Sequence, residues 1–117
     1  MKLIYERLRD IPLIVKTATY NHDGWVVGGS AQYLCGLTSK VRDWDVIVPP
    51  NEWAKLCKTF PYKSVTNTFG GIKLLENGVE VDLWPEELGL YFINTSGIIA
   101  VSPYWKKVVC STNNSDD

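Results

Sequence analysis

Two stretches of sequence decide the fold: Trp-Val-Val-Gly-Gly-Ser-Ala at residues 25–31 and Asp-Trp-Asp-Val-Ile-Val at residues 43–48. The first is a short apolar run that ends in two glycines, which predicts a buried strand followed by a tight turn. Ser30 can then cap a helix that ends at Gly36. The second stretch is rich in β-branched and aromatic residues and stops at two prolines, so it predicts another strand.

Helices and a hairpin are predicted on either side of these stretches. Over residues 3–20, apolar side chains recur mostly at three- and four-residue intervals, which indicates one or two short helices. Asn51 can cap a further helix, and Pro61 ends it. Asn77-Gly78 separates two apolar, strand-like runs and is a strong signal for a β-hairpin.

The order of these elements predicts the architecture. Residues 98–101 indicate one more strand and residues 104–109 a short helix. Helices that alternate with strands and then give way to a hairpin are typical of an α/β (α+β) domain around one mixed sheet. The sequence therefore predicts a single domain over residues 1–110, with helices flanking the sheet, and a disordered polar tail at 111–117.

Composition excludes several classes of protein. The 117 residues carry 12 Lys and Arg against 13 Asp and Glu, and this near-neutral balance argues against an extended nucleic-acid interface. Three cysteines without close spacing predict neither a disulfide framework nor a structural zinc site. No run of 18 apolar residues and no signal peptide is recognised, so we expect no membrane contact and a cytoplasmic location.

Asp43 and Asp45 are the most informative polar residues. Alternation along a strand directs both side chains to one face, with Cα atoms roughly 6.6 Å apart. Two carboxylates at that separation repel each other by about 2.5 kcal/mol at an effective dielectric near 20. A divalent cation such as Mg²⁺ or Mn²⁺ would relieve this repulsion, since these ions prefer oxygen ligands. The alternative is that both acids face solvent at the end of a strand.

A third acid and a glycine turn strengthen the case for a metal site. Asp82 lies within the apolar run that follows Asn77-Gly78. If that run forms a strand beside residues 43–48, three carboxylates converge. Such a group can hold two metal ions for an in-line displacement at phosphorus. Gly28, Gly29 and Ser30, between a strand and a helix, let the backbone approach a phosphate and add a hydroxyl donor.

These motifs together resemble a known family. Residues 26–31, 42–48 and 81–84 are similar to the polymerase β-like nucleotidyltransferase superfamily, whose pattern is an apolar residue with two small residues, a D-x-D strand and a later acid strand. The stretch 28–48 is similar to CCA-adding and aminoglycoside nucleotidyltransferases. Gln32-Tyr33 stands where CCA-adding enzymes usually carry Arg-Asp, so the resemblance implies the reaction type rather than the acceptor.

The resemblance also implies roles for single residues. Gly29 and Ser30, together with Gly28, would bind a nucleoside triphosphate. The metal ligands would be Asp43, Asp45 and Asp82, and Asp82 would also help to deprotonate the acceptor hydroxyl. Lys73 either reaches a β- or γ-phosphate or is a solvated lysine.

The sequence leaves three functions open. The first is a metal-dependent nucleotidyltransferase that uses two Mg²⁺ or Mn²⁺ ions, moves a nucleoside monophosphate from a nucleoside triphosphate to an acceptor hydroxyl and releases pyrophosphate. The second is a catalytically silent module of the same fold that acts through a protein partner, as an antitoxin-like or regulatory half of a pair. The third is a glycosyltransferase, whose D-x-D also holds a metal. Small members of this superfamily pair with a partner protein or form homodimers, so either is expected here.

Overall fold

The structure, a computed structural model, describes residues 2–60, 65–66, 71–86, 99–101 and 108–110. A 3-10 helix opens this part of the chain, and three α-helices and seven strands follow. The helices are the 3-10 helix Tyr5–Asp10, α1 Leu13–His22, α2 Gly28–Leu34 and α3 Pro50–Thr59. The strands are β1 Trp25–Val27, β2 Asp43–Val48, β3 Val65–Thr66, β4 Ile72–Glu76, β5 Val79–Pro85, β6 Ile99–Val101 and β7 Val108–Cys110.

All seven strands belong to one mixed sheet, in the order β3-β4-β5-β2-β1-β6-β7. β2 and β5 are parallel neighbours at its centre. The other neighbouring pairs are antiparallel, including the hairpin of β4 and β5. This is the α/β (α+β) architecture with a mixed sheet and flanking helices that the sequence predicts.

The two faces of the sheet differ in chemistry. Because side chains alternate along a strand, one face of β2 carries Trp44, Val46 and Val48, which are buried against the helices. This main core contains residues from all three α-helices and from five strands: Ile11, Val15, Ala18, Val26, Ala31, Leu34, Trp44, Val46, Val48, Leu56, Ile72, Leu74, Val81, Leu83 and Val101. The opposite face carries a smaller apolar cluster of Val27, Ile47, Trp25 and Trp84, together with the acids of the D-x-D motif.

Two local features connect the hairpin to the helical layer. Asn77 and Gly78 both have positive φ, 51° and 82°, as a two-residue hairpin turn requires, which confirms the predicted turn. At the end of β4, the Glu76 carboxylate accepts hydrogen bonds from the backbone N–H groups of Leu13 and Ile14, each 2.7 Å long. An acidic side chain at a helix N-terminus satisfies donors that have no partner within the helix, so Glu76 fixes α1 against the sheet.

Three predicted boundaries are wrong. α2 begins at Gly28, directly after β1, so Ser30 lies within the helix and does not cap it. α3 begins at Pro50 rather than after a cap at Asn51, because the fixed φ of proline suits the first turn of a helix. Val108–Cys110 is a strand where the sequence predicts the end of a helix.

The remaining part of that predicted helix and the predicted tail at 111–117 lie outside the described residues. None of the helices within the described ranges has both the length and the apolar character that a membrane crossing requires.

Candidate active site

Four carboxylates meet where the two central strands run in parallel. Asp45 on β2 is in register with Asp82 on β5, and Asp43 is in register with Glu80. Neighbouring strands are about 4.8 Å apart and residues two apart share a face, so all four side chains leave the face opposite the helices. β5 therefore lies beside β2, which is the condition on which the sequence predicts that Asp43, Asp45 and Asp82 converge.

Three of these acids form a tight group. Carboxylate oxygens of Asp43, Glu80 and Asp82 all lie within 4.8 Å of one another. Asp82 is only 5% exposed, and its Oδ1 has no hydrogen-bond partner. A buried acceptor without a partner is costly, and hard divalent cations take carboxylate oxygens as ligands. The residues present therefore fit a bound Mg²⁺ or Mn²⁺.

Asp45 lies beside this group and is held by two other contacts. Its Oδ1 accepts a hydrogen bond of 3.1 Å from the indole Nε1–H of Trp84. Its Oδ2 faces Gly28, where an added Cβ would lie only 3.2 Å from it. The tight group thus contains Glu80 where the sequence predicts Asp45, and Asp45 is instead fixed between an indole and the glycine turn.

Burial and mutual repulsion perturb two of the acids. Burial is the main cause that raises the pKa of Asp45 to about 6; the charges of Asp43 and Glu80 add to it, and the Trp84 hydrogen bond opposes it. Burial also raises the pKa of Asp82 to about 7, reinforced by a hydrogen bond to Glu80 and by the charges of Glu80 and Asp45, while Lys73 opposes it. A bound divalent cation would reverse this pattern, because a nearby positive charge favours the ionised form.

The glycine turn adjoins Asp45. Gly28 has φ of +67°, a conformation that favours glycine, and Gly29 is exposed with open space around its Cβ position. Ser30 is fully buried: its hydroxyl donates to the Val27 carbonyl at 2.7 Å and accepts the Asp45 N–H at 3.2 Å. The hydroxyl therefore ties the turn to β2, and its predicted contact with a phosphate stays a prediction.

Lys73 is a basic residue of the hairpin that lies close to these acids. It is in register with Asp82 across the antiparallel pair of β4 and β5, so it shares the acidic face. Its Nζ lies 3.5 Å from Glu80 Oε2, with 46% of the side chain exposed. A polar pocket of about 380 Å³ lies nearby and is lined by Arg42, Asp43 and Glu80.

Two residues of this site, Glu80 and Trp84, are not among the site residues that the sequence predicts. Glu80 precedes Asp82 by two positions, so alternation already places it on the same face, but its closeness to Asp43 depends on the register of β2 and β5. Trp84 lies two positions beyond Asp82, and its hydrogen bond to Asp45 likewise crosses between strands. The D-x-D pattern on β2 is matched by an E-x-D pattern on β5.

No protein-family model matches the chain, and no curated protein matches it. A solved CCA-adding enzyme in complex with CTP has a TM-score of 0.57 at 26% identity over 91% of this chain. The Thermotoga maritima CCA-adding enzyme complexed with tRNA has a TM-score of 0.61 at 22% identity over 98% of this chain. The chain has a polymerase β-like nucleotidyltransferase fold.

A candidate nucleotidyltransferase from Thermotoga maritima shares this nucleotidyltransferase fold, with a TM-score of 0.51 at 14% identity. The match covers 97% of this chain and 70% of that protein. The two CCA-adding enzymes are much longer, since this chain covers 28% of one and 33% of the other. The chain thus spans about a third of the length of those enzymes, and the match is to their fold.

Proposed function

We propose that this nucleotidyltransferase-fold domain, residues 1–110, transfers a nucleoside monophosphate from a nucleoside triphosphate to an acceptor hydroxyl and releases pyrophosphate. One observation carries the proposal: Asp43 and Asp45 on β2 and Asp82 on β5 leave one face of the sheet, next to a glycine turn at the start of a helix. The fold of the solved nucleotidyltransferases supports it.

Asp43, Asp45 and Asp82 are the residues that would hold divalent cations in this reaction. The orphaned Oδ1 of Asp82 and the close approach of its carboxylate to that of Asp43 support this assignment. When bound, Mg²⁺ or Mn²⁺ neutralises charge on the triphosphate and on the oxygens that attack and leave phosphorus. Two such ions are expected from the number of carboxylates.

Asp82 is the residue proposed to accept a proton. The acceptor oxygen forms a bond to the α-phosphorus, the bond from that phosphorus to the oxygen bridging to the β-phosphate breaks, and pyrophosphate leaves. The proton of the acceptor hydroxyl goes to the Asp82 carboxylate, which opens onto the same face as the other acids.

The glycine turn and Lys73 are the residues proposed to hold the triphosphate. Gly29 is exposed in the first turn of α2, where backbone N–H groups have no partner within the helix and favour an anion. Lys73 brings an ammonium group to the acidic face. Together they would place the triphosphate across the carboxylates, so that the reaction is accelerated mainly by positioning and charge.

Calorimetric titration of the four nucleoside triphosphates, with Mg²⁺ and then with excess EDTA, tests the proposal. We expect binding of at least one nucleotide that requires the metal and is lost in Asp82→Asn and Asp43→Asn. Asp23→Asn is the matched control, because Asp23 is exposed with φ of 54° and asparagine tolerates that conformation. Binding that persists in EDTA, or in both site variants, would contradict the proposal.

Labelled nucleotides distinguish nucleotidyl transfer from other reactions of the same substrate. With a mixture of small-molecule, protein and RNA acceptors, label from the α-phosphate should appear in an acceptor and label from the γ-phosphate in pyrophosphate. Transfer of the γ-label to an acceptor would indicate a kinase. A wild-type protein without any nucleotide binding would favour the silent, partner-dependent module.

A further inference from the structure

We propose that Glu80 is a cation ligand of this site, and that with Asp43 and Asp82 it binds a divalent cation before any nucleotide is present. This rests on the proposed function in that both use the same acidic face, but it changes which residues bind the first cation. In this binding step, the incoming cation replaces the Lys73 ammonium group as the partner of the Glu80 carboxylate.

The first support is the position of the Glu80 carboxylate. Its oxygen and those of Asp43 and Asp82 lie within 4.8 Å of one another, close enough that small side-chain adjustments bring all three onto one ion. Glu80 is in register with Asp43 across β2 and β5, the parallel pair at the centre of the sheet. Three carboxylates on adjacent central strands form a site that is present before the nucleotide arrives.

The second support is the burial of one member of this group, Asp82. Asp82 is 95% buried, and its Oδ1 has no hydrogen-bond partner. An acceptor of this kind carries an uncompensated desolvation cost, and a cation shared with Asp43 and Glu80 would remove it. The buried carboxylate therefore points to a ligand that the protein itself does not supply.

The surroundings of Asp45 explain why it is not a ligand of this first cation. Its Oδ1 is engaged by the Trp84 indole at 3.1 Å, and its Oδ2 faces the Gly28 backbone. Asp45 thus faces the proposed triphosphate-binding turn, whereas Glu80 faces Asp43 and Asp82. The structure divides the four acids into three that are close enough for one cation and one beside the turn.

Lys73 is an internal cation that competes for Glu80. Its Nζ is 3.5 Å from Glu80 Oε2, and both side chains are partly exposed, at 46% and 34%. An ion pair of this length and exposure contributes little, so a divalent cation can displace it at small cost. The released ammonium group is then free to meet a phosphate, which links cation binding to nucleotide binding.

Titration with Mn²⁺ alone, followed by electron paramagnetic resonance, tests the assignment without any turnover. We expect Glu80→Gln to weaken Mn²⁺ binding by about tenfold or more, since removing a ligand charge lowers the affinity of an oxygen site. Asp45→Asn should weaken it less than Glu80→Gln does. Glu6→Gln, at an exposed glutamate of the 3-10 helix, is the matched control and should leave it unchanged.

The Lys73→Met variant adds a test of the competition. It should tighten Mn²⁺ binding in the otherwise wild-type protein, and most of this gain should disappear in the Glu80→Gln background. An equal gain in Mn²⁺ affinity in both backgrounds would contradict the proposal that the cation replaces Lys73 as the partner of Glu80. Unchanged Mn²⁺ affinity in Glu80→Gln would overturn the ligand assignment.

A measurement on the wild type covers the case in which Glu80→Gln does not fold. The ¹³C signals of the side-chain carboxyl groups are followed during a Mg²⁺ titration without nucleotide, and those of Glu80, Asp43 and Asp82 should shift together. A Glu80 signal that stays in place while the two aspartates shift would overturn the inference and leave the proposed function standing. Failure of nucleotide binding with intact Glu80-dependent Mn²⁺ binding would overturn only the proposed function.

Discussion

Asp45 on β2 and Asp82 on β5 occupy opposed positions of a parallel strand pair, so that two acids from distant parts of the sequence leave the same face of the sheet. Because β2 and β5 run in the same direction, Asp43 lies opposite Glu80 and Asp45 lies opposite Asp82. An antiparallel partner would present its residues to β2 in the reverse order. This single pairing places the acid of the hairpin beside the D-x-D motif. Most of the chemistry proposed for this protein depends on it.

The first prediction concerns pH. The pKa of Asp45, about 6, and that of Asp82, about 7, are raised above the usual 3.8 of an aspartate, so the folded metal-free protein binds more protons than the unfolded chain between those values. Their contribution to stability is fully present below about pH 4 and is lost as the pH rises through about 6 and 7. Urea unfolding in EDTA should show a less stable protein at pH 8 than at pH 5.

The Asp82→Asn variant is the control for this pH dependence. Its side chain cannot ionise, so the loss of stability between pH 5 and pH 8 should become smaller than in the wild type. Saturating Mg²⁺ should also reduce the wild-type loss, since a bound cation favours the ionised carboxylates. A wild type that is equally stable at both pH values in EDTA would contradict the raised pKa values.

The second prediction compares the two glycines of the turn. Gly28→Ala should destabilise the protein by about 1–3 kcal/mol, because φ is +67° and the new Cβ would lie 3.2 Å from Asp45 Oδ2. Gly29→Ala meets open space within a helix, so it should be neutral or stabilise by up to about 1 kcal/mol. Thermal unfolding of both variants gives the comparison, and equal losses would show that the turn differs from the one described.

The third prediction separates two roles of Ser30. If its hydroxyl ties the turn to β2, Ser30→Ala should lower the free energy of unfolding by about 1–3 kcal/mol, because the buried Val27 carbonyl and Asp45 N–H lose their partner. Ser39→Ala, at an exposed serine, should have little effect. Unchanged stability with weakened nucleotide binding would instead support a phosphate-binding hydroxyl.

The fourth prediction concerns the indole that holds Asp45. Trp84→Phe removes the N–H donor and keeps an aromatic ring in the small apolar cluster, so the pKa of Asp45 should rise above about 6. A ¹³C titration of the Asp45 carboxyl measures this directly. Trp25→Phe changes the same cluster and should leave that titration in place. A pKa that does not rise in Trp84→Phe would mean that the hydrogen bond is not formed in solution.

Local patterns predicted much of the fold. Turn chemistry predicts the Asn77-Gly78 turn, and residue composition predicts the strand at 43–48. The period of two along a strand predicts that Asp43 and Asp45 share one face. The start of α2 at Gly28 was not predicted, because two consecutive glycines are typical of a turn and weaken a helix.

What the sequence could not supply is the set of contacts between distant elements. The position of Glu80 against Asp43 requires the register of β2 and β5, which alternation within one strand does not determine. His22 is a second example, because it is buried where α1 meets α3 and its partners belong to the other helix. There its Nδ1 lies 3.1 Å from Glu52 Oε1 and its Nε2 3.4 Å from Thr59 Oγ1.

The most direct measurement is the anomalous X-ray signal of Mn²⁺ in crystals grown with a nucleoside triphosphate analogue whose α,β-bridge cannot be cleaved. The account predicts Mn²⁺ peaks on the sheet face opposite the helices, within ligand distance of Asp43 and Asp82, with the α-phosphate beside them. Peaks elsewhere on the protein, or a bound analogue without any Mn²⁺ at these aspartates, would contradict it.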